Sequence, residues 1–199
     1  MRIPIKCTLV LLAIAAVFTP HAGAQDAKAP DTPLRSELSA GYTYVRSNAP
    51  PGGCTCINLN GANVTFAWPV KPGSFALAGD FTIAHAGSIS SSNYTLTLST
   101  YTAGVRYYPP FHHRAFEPFG QVLLGAAHTS GTLVEAPNPA AKNASATFAA
   151  NIGGGLNLKI NRRFAIRLVE ADYLITTFDN GQNNHQNNLR ISAGVVVRF

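Results

Sequence analysis

From Glu37 onward, apolar and polar residues alternate with period two, and no stretch sustains a helical period. The cleanest run is 145–160. Ala146, Phe148, Ala150, Ile152, Gly154, Leu156, Leu158 and Ile160 share one face, and Ser145, Thr147, Ala149, Asn151, Gly153, Gly155, Asn157 and Lys159 share the other. The last segment repeats the pattern, with Leu189, Ile191, Ala193, Val195, Val197 and Phe199 opposite Arg190, Ser192, Gly194, Val196 and Arg198. In 74–85, Phe75, Leu77, Phe81 and Ile83 oppose Ser74, Ala76, Asp80 and Thr82. Eight strands are predicted: 37–46, 62–69, 74–85, 94–108, 116–128, 145–160, 164–178 and 189–199. Short connections (70–73, 109–115, 161–163) alternate with long ones (47–61, 86–93, 129–144, 179–188). This is how membrane-spanning barrels join their strands.

The chemistry of the two faces chooses between a soluble sandwich and a barrel in lipid. The polar faces are mostly Ser, Thr, Asn, Gly and Ala, which suit the narrow lumen of an eight-stranded barrel. The other faces carry Leu, Ile, Val, Phe and Tyr, and charged residues are only 12% of the chain, about half the usual share. Tyr42, Tyr44, Trp68, Phe75, Tyr107, Tyr108, Phe111, Phe116, Phe119, Phe164 and Phe178 fall near segment ends, where interfacial girdles place aromatic rings. The fold class is therefore all-β, an eight-stranded antiparallel up-and-down transmembrane β-barrel over 37–199.

Ahead of the barrel, Arg2 and Lys6 precede an apolar run from Cys7 to Phe18, then Pro20 and Ala22-Gly23-Ala24. The run falls short of the roughly 20 apolar residues a spanning helix needs. It reads as a signal peptide, 1–24, cut before Gln25. The polar, Pro-rich 25–36 reads as a flexible periplasmic lead-in. Loss of Arg2 and Lys6 lowers the 15 basic residues by two against 9 acidic ones. The rest are scattered, and export argues against nucleic acid as a partner.

Candidate chemistry is sparse. Parity places Glu37, Asp80, Arg106, Lys159, Glu170, Asp172, Arg190 and Arg198 in the lumen, although the alternation slips in 94–108 and 164–168. Four acids and four bases suit a salt-bridge plug, with a gated polar pathway as the alternative. Counting register through the 179–188 loop brings Arg198 opposite or nearly opposite Glu170, with Glu37 on its other side. Cys54 and Cys56, beside Pro50-Pro51-Gly52-Gly53, are read as a local disulfide, as reduced thiols, or as a metal trap with a nearby histidine. His85, His112, His113, His128 and His185 lack zinc-ligand spacing, so no metal or cofactor is expected. Gly153-Gly154-Gly155 sits inside a strand with no helix after it, so it makes room in the lumen and is not a phosphate loop.

Leu189 to Phe199, with its alternating apolar residues and terminal aromatic, resembles the C-terminal strand of bacterial outer-membrane barrels. The run Arg167-Leu-Val-Glu-Ala-Asp-Tyr173 resembles the penultimate strand of barrels similar to the outer membrane protein A transmembrane domain. The resemblance implies an outer-membrane location, contact with outer-membrane lipid, and Phe199 as part of the signal read by the barrel assembly machinery. The chain is expected to depart from that group in having no periplasmic peptidoglycan-binding domain after the barrel, so cell-wall tethering by that route is not implied. Some barrels of this size deacylate or acylate lipid A with a Ser and a His. Here His128, Thr129 and Ser130 are adjacent and His85 is close to Ser88, but strand neighbours point to opposite faces and no G-x-S-x-G elbow occurs. The expected function is a monomeric, non-enzymatic barrel with a structural or surface-interaction role and an unidentified extracellular ligand. A narrow porin for small solutes is the second reading and a lipid-modifying enzyme the third.

Overall fold

The computed structural model describes residues 35–47, 56–70, 74–89, 94–110, 115–131, 146–178 and 185–199. The predicted leader and residues 25–34 lie outside the described residues. So do Cys54, Phe111, His112 and His113.

Eight strands form one closed antiparallel barrel in chain order. They are β1 (Glu37–Ser47), β2 (Ile57–Val70), β3 (Phe75–Ile89), β4 (Tyr94–Tyr107), β5 (Phe116–Ser130), β6 (Thr147–Lys159), β7 (Phe164–Thr176) and β8 (Gln186–Arg198). Closure pairs β1 with β8, Glu37 opposite Arg198 and Gly41 opposite Gly194. Every strand thereby has two neighbours and no backbone edge is left exposed. Both ends of the described chain lie at one end of the barrel, with the connections 71–74, 108–115 and 160–163; this is the turn end. The connections 48–56, 90–93, 131–146 and 177–185 define the loop end.

Three strands extend three or more residues beyond the predicted alternation at the loop end. β2 starts at Ile57, β3 runs to Ile89 and β8 starts at Gln186. Their outward residues there are polar, such as Asn58, Asn60 and Asn187, so the apolar-out signal fades while the backbone ladder continues. Connection 90–93 is consequently short, and short and long connections do not alternate strictly.

The slip in 164–168 is a β-bulge. Arg167 faces Gly194 and Glu170 faces Ser192, so Leu168 and Val169 together oppose Ala193. The extra residue lets Arg167 and Glu170, three apart, both point inward, while Leu168 and Val169 both point outward.

Outside, the wall is apolar, with Leu38, Phe66, Trp68, Leu77, Ile83, Tyr101, Leu124, Ile152, Ile166 and Val195 exposed. Inside, it is mostly polar toward the turn end and apolar at the loop end. The loop-end cluster comprises Val45, Ile57, Leu59, Ala84, Ala86, Leu98, Ala127, Ala149 and Leu174, one or two from every strand except β8. Sequence reasoning assigned large aliphatics to lipid. Here Val45, Leu59 and Leu174 in this cluster, and Leu123 in a second one with Ala67, Ala76 and Ala78, are fully buried in the lumen, because eight strands leave just enough interior room for side chains to pack.

Candidate functional site in the barrel lumen

The lumen holds two ionic tiers. Arg190, on β8, is completely buried in the larger one. Its Nη1 donates to Asp80 Oδ1 at 2.5 Å and to Thr82 Oγ1 at 2.6 Å. Its Nη2 donates to Glu170 Oε1 at 2.7 Å and to Asp172 Oδ2 at 2.6 Å. One guanidinium therefore joins β3, β7 and β8 across the barrel, which its planar fork of donors permits and a lysine would not. Thr65 and Thr82 each donate to Asp80 at 2.9 Å.

Arg167 Nη1 bonds Glu170 Oε2 at 2.6 Å and Ser39 at 3.0 Å, and its Nε bonds Asn157 at 3.1 Å. Arg106 donates twice to Gln121 Oε1, and Gln121 Nε2 donates on to Asp172 and Glu170. Arg106 also lies 3.9 Å from Glu170. Three carboxylates thus face three guanidiniums, the composition a dry site needs to hold ions without a large uncompensated charge. The guanidiniums of Arg106 and Arg167 sit 4.3 and 4.8 Å from the centre of the Phe119 ring, whose face attracts cations.

Glycine makes room for this tier. A Cβ on Gly155 would stand 2.7 Å from the Phe119 ring, and one on Gly153 would strike the Asp172 carboxylate.

The second tier lies at the turn end. Arg198 Nε donates to Glu37 Oε1 at 2.9 Å, and Arg198 is paired with Glu117 through both Nη atoms. Tyr108, just past the end of β4, donates to Glu37 Oε2 at 2.8 Å. Burial, followed by the neighbouring Glu37 carboxylate, raises its phenol above the ordinary value, so it remains a donor.

Seven of the eight residues assigned to the lumen by parity enter these tiers: Glu37, Asp80, Arg106, Glu170, Asp172, Arg190 and Arg198. Lys159 shares their parity at the end of β6 but is half-exposed, and no ion pair is described for it. The expected Arg198–Glu170 contact does not form. β7 ends two residues earlier and β8 starts three residues earlier than predicted, so Thr176 pairs with Gln186, the hairpin register shifts and Glu170 faces Ser192 instead. Glu117, from β5, is the second carboxylate at Arg198.

Sequence reasoning missed Glu117, Phe119, Gln121 and Arg167. The first three share parity on β5, where Phe119 and Leu123 inside and Val122 and Leu124 outside make both faces apolar. Phe119 is accordingly a lumen residue and not part of a girdle, and Phe178 packs against the apolar lumen cluster. Arg167 was hidden by the bulge.

Among the described residues, no group of three His, Cys, Asp or Glu is placed to hold a metal. Cys56 is half-buried, and its pairing with Cys54 lies outside the described residues. His85 meets Thr97 at 2.9 Å on the outer wall. His128 and Ser130, two apart, share that outer face, with Thr129 between them turned away, and no hydrogen bond between them is described. Phe199 is 70% exposed at the turn end, its backbone N–H donating to Ser36.

No family profile and no curated protein matches the chain. Solved structures do. Ail, the attachment invasion locus protein of Yersinia pestis, is 18% identical with a TM-score of 0.55, covering 84% of this chain and 100% of that one. Neisserial surface protein A is 15% identical with a TM-score of 0.57, covering 82% and 97%. The outer membrane protein OprG from Pseudomonas aeruginosa is 10% identical with a TM-score of 0.52, covering 84% and 96%. The chain has the fold of these small eight-stranded outer-membrane barrels.

Proposed function

We propose that this chain is a bacterial outer-membrane protein with a closed lumen and a structural or surface-interaction role, its loop end outward and both termini periplasmic. The observation that carries the closed lumen is Arg190, fully buried and bonded to carboxylates on two other strands, beneath an apolar cluster drawn from seven strands. An ion crossing would have to displace both layers. In this reading residues 1–24 are removed on export and 25–36 form the lead-in. Phe199 completes the assembly signal, and the mature barrel is a monomer.

The test is fractionation with heat-modifiable gel mobility, followed by single-channel recording in planar bilayers. A heat-modifiable outer-membrane protein without discrete conductance is expected. Recovery from the soluble periplasm would sink the location.

A narrow pore is the second reading. Its support is that Asn63 Oδ1, Arg167 Nη2 and Ser192 Oγ are buried without a described partner, in residues that surround one gap beside Gly41 and Gly194, itself too small for a water molecule. Ohmic conductance of the wild type would favour it. No residue is assigned a catalytic role. A change in lipid A mass on expression would reverse that.

A further inference from the structure

The charges outside the lumen are divided between the two ends of the barrel. The turn-end connections, 71–74, 108–115 and 160–163, contain Lys71, Arg114, Arg162 and Arg163 and no Asp or Glu. The loop-end connections contain Glu135 and Asp179 against Lys142. The lead-in 25–36 is balanced, with Asp26 and Asp31 against Lys28 and Arg35. All five carboxylates among the described residues, Glu37, Asp80, Glu117, Glu170 and Asp172, are paired within the lumen tiers.

The β6–β7 hairpin presents the excess positive charge on a fixed backbone. Arg162 and Arg163 are exposed, Lys159 is half-exposed, and among the described residues none of the three has an acidic partner. Asn161 Oδ1 accepts from the backbone N–H of Arg163 and of Phe164, each at 2.8 Å, and Arg163 O accepts from Arg198 N at 2.8 Å. The turn is thereby tied from within and to β8. Two adjacent guanidiniums are held ready, and a partner need not order the backbone that carries them.

Position separates these bases from the lipid belt. The outward residues at this end, Trp68, Phe75, Tyr107, Phe116, Ile160 and Phe164, are exposed, and none is basic. Lys159 pairs with Ala165, which is completely buried, so its side chain leaves the wall on the lumen side, at the mouth. A membrane phosphate reaches a rim but not that mouth. The bases are also spread between the mouth and the turn and do not converge on one point. They suit an extended chain with several separate carboxylates better than one compact anion.

We infer that the turn end, through Lys159, Arg162 and Arg163, is a docking surface for an acidic peptide segment of a periplasmic partner. The inference rests on the membrane reading above, which turns this end to the periplasm, and adds the chemistry of what meets it there.

The test is fluorescence anisotropy of a labelled octaglutamate peptide titrated with the mature chain in phosphatidylcholine nanodiscs, which leave both ends of the barrel open to solution. The wild type should bind octaglutamate, should bind an octaglutamine peptide far more weakly, and should lose affinity as salt is raised. Arg162→Gln with Arg163→Gln should weaken octaglutamate binding about ten-fold, with heat-modifiable mobility kept, and Lys159→Gln should weaken it several-fold. Arg46→Gln, at the loop end, should leave it unchanged. Equal binding by the wild type and a heat-modifiable Arg162→Gln, Arg163→Gln variant would overturn the docking surface and leave the membrane reading standing. So would a preference for spin-labelled phosphatidylglycerol over phosphatidylcholine that this variant abolishes, because the arginines would then serve membrane phosphate. A wild type that does not fold into the discs would overturn the membrane reading and this inference with it.

Discussion

At the residue scale the lumen is organised by what each arginine leaves behind when removed. Arg190→Ala strands Asp80, Glu170 and Asp172 where water does not reach, a loss of about 3–5 kcal/mol for a broken buried pair. Arg198→Ala should cost less, because the Glu117 side chain is 29% exposed and water can take the arginine's place. Arg46→Ala, on the outer wall, should cost least. Urea unfolding of the refolded barrel in detergent should therefore give midpoints falling in the order Arg46→Ala, Arg198→Ala, Arg190→Ala. Equal midpoints for the first and last would mean that the middle tier is hydrated. Gly155→Ala tests the room given to Phe119. The ring is held beside two guanidiniums and Val169 O stands 2.5 Å from the added carbon, so neither neighbour yields easily. Overpacking of this kind costs about 1–3 kcal/mol, and the same urea titration reads it.

At the element scale, β7 shows why the charges were legible and their partners were not. Strict parity is a good guide wherever one face is apolar and the other polar, which is how Asp80, Asp172 and Arg190 are found from sequence. Parity breaks at a bulge, and Leu168-Val169 is one, so Arg167 drops out of the inward set. On β5 both faces are apolar and parity has nothing to act on, so Glu117 and Gln121 are missed. Pairing needs register as well, and register depends on where a strand starts. Gln186, Asn187 and Asn188 read as loop, yet they pair with β7. The bulge itself makes a prediction. Deleting Leu168 and Val169 together places Arg167 next to Glu170, so with Glu170 and Asp172 kept inward, Arg167 turns to lipid and Ile166 into the lumen. The yield of heat-modifiable barrel should collapse, whereas Val169→Ala, which keeps the residue count, should fold normally. Equal yields would show that the bulge is not what positions Arg167.

At the scale of the whole molecule, the proposed closure is a property of two layers in series. The middle tier is ionic and the loop-end layer is apolar, and each spans the lumen by itself. A salt ion entering from either side must then displace a charge-balanced network or shed its hydration against Val45, Leu59, Leu98 and Leu174. Removing one layer leaves the other as the barrier. Leu59→Ala with Leu174→Ala thins the apolar layer without touching a charge. Arg190→Ala with Asp172→Ala thins the ionic layer while removing one acid together with the base, which limits the stranded charge. In planar bilayers, heat-modifiable protein carrying either pair should remain as silent as the wild type, and the quadruple variant should show discrete ohmic openings. The effects of the two pairs would then be strongly non-additive, as expected for barriers in series and unlike two independent leaks. Conductance already present in the ionic-layer pair alone would mean that the apolar cluster does not seal the loop end and that the salt-bridge tier is the single gate.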